Sequence, residues 1–342
     1  MNTFKISTIS TALLFGSALL ALQANAEGRL TVYCSAQNVV CEKAVQGFEK
    51  KYDVKTSFIR NSSGSTLAKI DAEKNNPQAD VWYGGPFDTH QQAIELGLLT
   101  PYKSSKISEV MPQFQSLGNG YSSIVYMGVL GFGVNTERLK KLGINEVPKC
   151  WKDLLDPRFK NEIQIADPQS SGTAYTAIAT FVQLWGEEKA FDYLKKIDQY
   201  ISQYPKAGTA PSRNTARGET TIGIGFLQNY SFEKANGAPI ELVVPCEGTG
   251  YELGGISIIK DARNLKNAQL FADWVMSKEA QELSWKEAQS HHVPTNVNAA
   301  PSPYALKPNE LNLINYDFDK FGSNEMRNHL INKWVDKIKL NK

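Results

Sequence analysis

From Arg29 onward, short apolar runs alternate with stretches in which apolar residues recur every three or four positions. RLTVYCS reads as a strand, and CEKAVQGFEKKY as a helix that places Val45 and Phe48 on one face. VKTSFIR is the next strand, and STLAKIDAEKNN a helix stopped by Pro77. ADVWYGG is a third strand, followed by the helical DTHQQAIELG with Gly97 at its end. This βαβ rhythm predicts a mostly parallel, doubly wound α/β sheet.

A second unit follows SSIVYMGVLGFGVNT, which reads as a strand pair. NEIQIADP predicts a strand, and the helix after it spaces Tyr175, Ile178, Val182 and Trp185 on one face. EKAFDYLKKI is helical, TTIGIGFLQN and IELVVPC are strands, and GGISIIK is a return strand before helices from Asn264 to Ser290. A Pro- and Asn-rich tail leads to a last amphipathic helix, NEMRNHLINKWVDKI.

The first 26 residues stand outside this pattern. Lys5, the uncharged TALLFGSALLAL and the ANA ending at Ala26 form a secretory signal peptide over residues 1–26. Its apolar core is too short for a membrane span. Roughly 316 residues remain, enough for two domains of ordinary size. The chain has 37 Lys and Arg against 35 Asp and Glu, and the leader removes only Lys5, so the mature net charge is +1. That balance and the lack of a basic stripe argue against nucleic acid as a partner. The four cysteines, Cys34, Cys41, Cys150 and Cys246, form no C-x-x-C pair, which disfavours a structural zinc site. In an exported chain an even count favours disulfides, with three connectivities open at this point.

Candidate chemistry lies in two echoing corners, NSSGST at Asn61 to Thr66 and QSSGTA at Gln169 to Ala174. Each follows a predicted strand and opens a predicted helix. A helix start offers unpaired N–H groups and the positive end of a dipole, and serine hydroxyls with a glycine complete an anion seat. Ser62, Ser63 and Gly64 would supply one jaw, and Ser170, Ser171, Gly172 and Thr173 the other. Either corner alone reads more simply as a helix cap; the pair points to one shared ligand beyond the carboxyl ends of the strands. Ser35, Gly85, Gln228, Asn229 and Glu252 lie in predicted strand-end loops and complete a cleft-lining set with a hydrogen-bonding capacity suited to a polyol or an amide. His90 and the His291–His292 pair form no spaced ligand cluster and read as surface or supporting residues. SFEK at Ser231 to Lys234 matches S-x-x-K, but its companion motifs and G-x-S-x-G are absent, so an exported phosphate-ester hydrolase is a poor alternative.

LTVYCSAQ, ADVWYGGP, LGFGVNT, CWKDLLDPRFKNEIQIADPQSSGTAY, ARGETTIGIGFL and PCEGTGYELGGISIIKDARN, in that order, carry a family resemblance. Over its whole mature length the chain resembles periplasmic solute-binding proteins of the ferric-iron type, which feed ABC importers, and within them a sugar-phosphate-binding branch. The resemblance implies a type II, flytrap-like fold of two lobes, each with a doubly wound sheet. Residues 27–128 and 256–300 would form one lobe, and 129–255 and 301–342 the other. It implies a monomer without catalysis or cofactor that hands a small anionic solute to an inner-membrane permease. Two departures bear on the ligand. Ferric-iron relatives carry adjacent tyrosines where this chain reads QNYSF, leaving Tyr230 as the metal ligand if iron is the cargo. Sugar-phosphate relatives often read FLHD where this chain has Leu227-Gln228-Asn229. With two lobes that must close, a bridge across the cleft would pin them, and the expected disulfides are Cys34–Cys41 and Cys150–Cys246.

Overall fold

The computed structural model describes residues 28–341; the signal-peptide segment lies outside the described residues. The strands are β1 (Arg29–Cys34), β2 (Lys55–Arg60), β3 (Val81–Pro86), β4 (Leu99–Thr100), β5 (Ser122–Asn135), β6 (Ile163–Gln164), β7 (Ile201–Gln203), β8 (Ile222–Phe226), β9 (Ile240–Val243), β10 (Tyr251–Ile259) and β11 (Val293–Pro294). Helices α1 (Asn38–Tyr52), α2 (Ser63–Ala72), α3 (Phe87–Glu95) and α4 (Thr136–Lys141) serve the first half. They are followed by α5 (Gly172–Trp185), α6 (Glu187–Ile197), α7 (Ala210–Ala216) and α8 (Leu227–Ala235). The chain closes with α9 (Leu265–Met276), α10 (Lys278–Ala288), α11 (Phe318–Phe321) and α12 (Asn324–Lys337).

The strand order is β2-β1-β3-β10-β5-β8-β6-β7. β1 pairs in parallel with β2 and β3, and β6 in parallel with β7 and β8, so each half has the doubly wound character expected. The two halves share β5. Its first part pairs antiparallel with β10 from Ser122 to Val129, and its second part pairs with β8 from Leu130 to Val134 and with β9 from Phe132 to Asn135. The sequence reading of a strand pair here is wrong: β5 is one strand of 14 residues, buried throughout. Its glycines look like turn signals but serve close packing. A Cβ on Gly128 would sit 2.4 Å from the Gln228 amide, and one on Gly133 would sit 2.0 Å from the Tyr230 ring.

The helices cover the sheet for the reasons their periodicity gives. α1 buries Val40, Cys41, Ala44, Val45 and Phe48, and Phe48 meets Phe271 of α9 edge-on at 5.1 Å. α5 buries Ala174, Tyr175, Ala177, Ile178 and Phe181 and is capped by Ser171, whose Oγ accepts the Ala174 N–H at 3.3 Å. The disulfides join Cys34 to Cys41 and Cys150 to Cys246, the expected pairs. A different element replaces the predicted strand TTIGIGFLQN after Phe226. The run turns into α8 because Leu227 and Tyr230, one turn apart, bury against Val129 and Ile240.

Candidate functional site

Parallel strands place their carboxyl ends on one edge, and that edge holds the site. The residues just beyond β1 (Ser35, Gln37), the end of β2 (Arg60) and the end of β3 (Pro86) meet Phe226 at the end of β8 around one cleft. It encloses about 390 Å³, part of it open to solvent. Helices α1, α2, α5 and α8 all begin at this cleft, so several free N–H ends and dipole ends converge on it.

The two serine corners meet here. Ser63 Oγ accepts the Gly172 N–H at 3.2 Å, and both Ser62 and Ser170 donate to the Lys206 carbonyl, at 3.2 and 2.9 Å. The approach needs glycine on each side. A Cβ on Gly64 would lie 2.9 Å from the Ser170 carbonyl oxygen, and one on Gly172 2.3 Å from Ser63 Oγ. At Gly64 the obstacle is backbone; at Gly172 the Ser63 hydroxyl would have to turn away.

Arg60 lines the same cleft. Its Nε donates to the Ala36 carbonyl at 3.1 Å and its Nη2 to Thr209 Oγ1 at 3.4 Å, both neutral acceptors. Among the described residues no carboxylate pairs with it. Burial, with the neighbouring Arg213, holds its pKa below the ordinary arginine value. An arginine fork suits bidentate binding of a phosphate or carboxylate.

The other wall is polar but uncharged at neutral pH. Glu252 on β10 is 4% exposed and accepts the Gln228 amide N–H at 2.7 Å. Burial pushes its carboxyl up to about 8; the Gln228 bond opposes the rise and nearby Asp88 adds to it. His292 Nε2 lies 3.8 Å away, yet burial, with His291 beside it, pushes that imidazole down to about 3. The contact is therefore between neutral partners and is not an ion pair. Tyr126 packs on the His292 ring at 4.0 Å and accepts the Gly85 N–H on its phenol oxygen at 2.9 Å.

The chain matches the family of bacterial extracellular solute-binding proteins over residues 76–320. It belongs to that family. Among solved structures, the periplasmic binding protein AfuA from Actinobacillus pleuropneumoniae, with exogenous fructose-6-phosphate bound, is 64% identical with a TM-score of 0.90, covering 92% of this chain and 99% of that one. A putative 2-aminoethylphosphonate-binding periplasmic protein of Salmonella typhimurium is 27% identical over 291 residues, 80% of this chain and 82% of the relative. Iron-bound HitA from Pseudomonas aeruginosa, at 20% identity and a TM-score of 0.76 over 89% of this chain and 98% of that one, shares the fold. The type II, two-lobed α/β architecture is thus that of the solute-binding family, and its AfuA branch is the one this chain resembles.

Read as a member of that family, the chain brings Ser35, Ser62, Ser63, Ser171, Gly172, Thr173, Gln228, Asn229 and Glu252 to one cleft. Gly64, Gly85 and Ser170 stand behind the lining: Gly64 against the Ser170 carbonyl, and Gly85 beneath Ser35 and Ser63. Gln228 and Asn229 occupy the first turn of α8 and Glu252 lies within β10, where the sequence reading had strand-end loops. Tyr230 does not reach the cleft. Its ring packs on Gly133 and Gly223 in the core, and its buried hydroxyl has no hydrogen-bond partner. Arg60, by contrast, lies on the cleft wall. His90 is fully buried, stacked on Trp82 at 4.0 Å, with its ring nitrogens on Ser257 and the Gly84 carbonyl, so the surface reading for it fails. Sequence reasoning missed Arg60, Tyr126, Thr209 and His292. Arg60 had a signal, a cation at a strand end directly before the first serine corner; His292 had none.

Proposed function

We propose that this chain is the periplasmic solute-binding component of an ABC importer, and that it captures a small phosphorylated organic anion, a sugar phosphate or similar, for delivery to an inner-membrane permease. The observation that carries the reading is Arg60, a largely buried guanidinium whose side-chain bonds go to neutral oxygens, set among serine hydroxyls and helix N-termini. The fructose-6-phosphate bound to AfuA and the phosphonate in the name of the Salmonella relative both present phosphorus oxyanions, which this wall fits. The uncharged wall of Gln228, Asn229, Glu252 and His292 would receive the organic part.

In this reading residues 1–26 export the chain to the periplasm and are removed. Residues 27–128 with 256–300 and residues 129–255 with 301–342 act as two lobes that close on the ligand, and the protein works as a monomer without changing the ligand chemically. The serine corners, one per lobe, make neither lobe sufficient alone, so binding favours the closed state. Titration calorimetry with fructose 6-phosphate and with fructose tests the reading. Tight binding of the phosphate ester with little binding of the free sugar is expected, and equal affinity for the two refutes the anion seat. Stable loading by Fe(III) alone would instead favour an iron importer.

A further inference from the structure

A second seam between the proposed lobes runs along α3, and its residues stand apart from the cleft lining. Asp88, Gln92 and Glu95 recur at helical spacing on one face of α3. Opposite them, in the other proposed lobe, lie α5, Tyr316 and the start of α12. Tyr316 donates its hydroxyl to Asp88 Oδ2 at 2.9 Å, and Thr176 of α5 donates to the same oxygen at 3.4 Å. Glu95 Oε2 accepts the Asn324 backbone N–H at 2.8 Å and the Asn324 side-chain amide at 3.0 Å. That amide also donates to the Gln92 carbonyl at 3.2 Å. A carboxylate of one helix thus caps the positive end of another. The approach is close: a β-carbon on Gly322, between α11 and α12, would sit 3.0 Å from the Gln91 Cβ.

Two observations mark this seam as one that parts. Arg327 Nη1, Asp88 Oδ1 and Gln92 Nε2 are all buried there without hydrogen-bond partners. A permanent core satisfies nearly all of its polar atoms, whereas a seam that regains water on opening need not. Arg327, 5% exposed, also joins the seam to the serine corners. Its guanidinium stacks on Tyr175 at 4.6 Å. A β-carbon on Gly64 would stand 3.1 Å from Arg327 Nη2 and 2.9 Å from the Ser170 carbonyl oxygen. The same guanidinium is near enough to Asp88 to draw its carboxyl down against the rise that burial imposes. The meeting of the corners and the docking of α12 on α3 therefore form one continuous contact.

We propose that α12 is a clasp, and that Glu95, Asn324 and Arg327 are positioning residues that set ligand affinity by holding the closed state without touching the ligand. This rests on the reading of the chain as a two-lobed solute-binding protein. Taking Asp88 and Arg327 out of water offsets much of their attraction, so the clasp alone does not shut the empty protein. The ligand's own contacts tip the balance, and the clasp then slows reopening.

Glu95 is exposed, so replacing it leaves the core intact. Glu95→Ala should weaken fructose 6-phosphate binding about fivefold in calorimetry, the upper range for a charge lost from a helix N-terminus. Stopped-flow fluorescence should place the change in the dissociation rate and not in the association rate. Glu95→Gln keeps an acceptor oxygen for Asn324 and should recover part of the affinity. Because the seam is parted in the empty protein, both variants should keep the wild-type Tm when no ligand is present. A ligand-free Tm lowered by Glu95→Ala would mean that the cap is permanent, and it overturns the clasp, as does an unchanged affinity; both results leave the solute reading standing. No binding of fructose 6-phosphate by the wild type overturns the sugar-phosphate reading and the clasp with it.

Discussion

Glu252 makes the ligand-free protein less stable as the pH rises through neutrality, and replacing it by Gln removes that loss. Its carboxyl titrates at about 8 in the native state against 4.5 when exposed. The native state therefore holds this proton over a range where the unfolded chain has released it. The stability that results is fully present below about pH 4.5 and is lost as the pH rises through about 8. Between pH 6.5 and 8 the shortfall grows by about 1.2 pH units, because the native carboxyl itself begins to ionise near 8, or about 1.6 kcal/mol at 1.36 kcal/mol per unit. For a chain of this size that is a fall in Tm of about 2–3 °C. Other groups also titrate. Burial pushes His90 and His292 down to about 4 and 3, and these act in wild type and variant alike; Asp88, pushed up to about 6, enters the difference through the charge it sets against Glu252. Scanning calorimetry of ligand-free wild type and Glu252→Gln at pH 6.5 and pH 8 reads the effect. The variant should gain on the wild type by about 1.6 kcal/mol between the two pH values. Parallel stability curves would show that Glu252 is already ionised at pH 6.5, and the account of a neutral wall would fail.

Three further outcomes follow from the cleft. Ser63→Ala should weaken a phosphorylated ligand by about 1–3 kcal/mol in calorimetry, the usual range for a hydrogen bond to a charged group; Ser171→Ala should do the same and also lower Tm, because Ser171 Oγ caps α5. Gly172→Ala places a methyl 2.3 Å from where Ser63 Oγ now lies, so the hydroxyl must turn away and its bond from the Gly172 N–H is lost, and the affinity should fall at least about tenfold with the far-UV circular dichroism unchanged; unaltered affinity would mean that the bond between the corners is not needed. Small-angle X-ray scattering should give a smaller radius of gyration with saturating ligand than without it, and an equal radius, with the free protein open, would rule out lobe closure.

Much of the architecture was legible because it is local. The strands β1, β2 and β3 and the helices α1, α5 and α12 follow from hydrophobic period and from caps within a few residues, since backbone hydrogen bonding and the choice of buried face are settled over one or two turns. The serine corners were readable for the same reason: Ser62 and Ser171 are the N-cap residues of α2 and α5. The local signals misled where packing overrode them. Gly128, Gly131 and Gly133 suggested a break in β5, yet they make room for Gln228, Leu227 and Tyr230 pressing on a continuous strand.

The character of the site belongs to tertiary structure. Sequence fixes that Gln228, Glu252 and His292 exist; it does not say that residues 24 apart share a hydrogen bond, or that an imidazole 40 positions further on lies 3.8 Å from the same carboxyl. Nor does it say which acid keeps its proton. The charge of Glu252 and the pairing of Arg60 with neutral oxygens depend on how much water the folded chain removes and on which dipoles and charges remain. Those are set by contacts between distant segments, and they exist only once both halves have packed about β5.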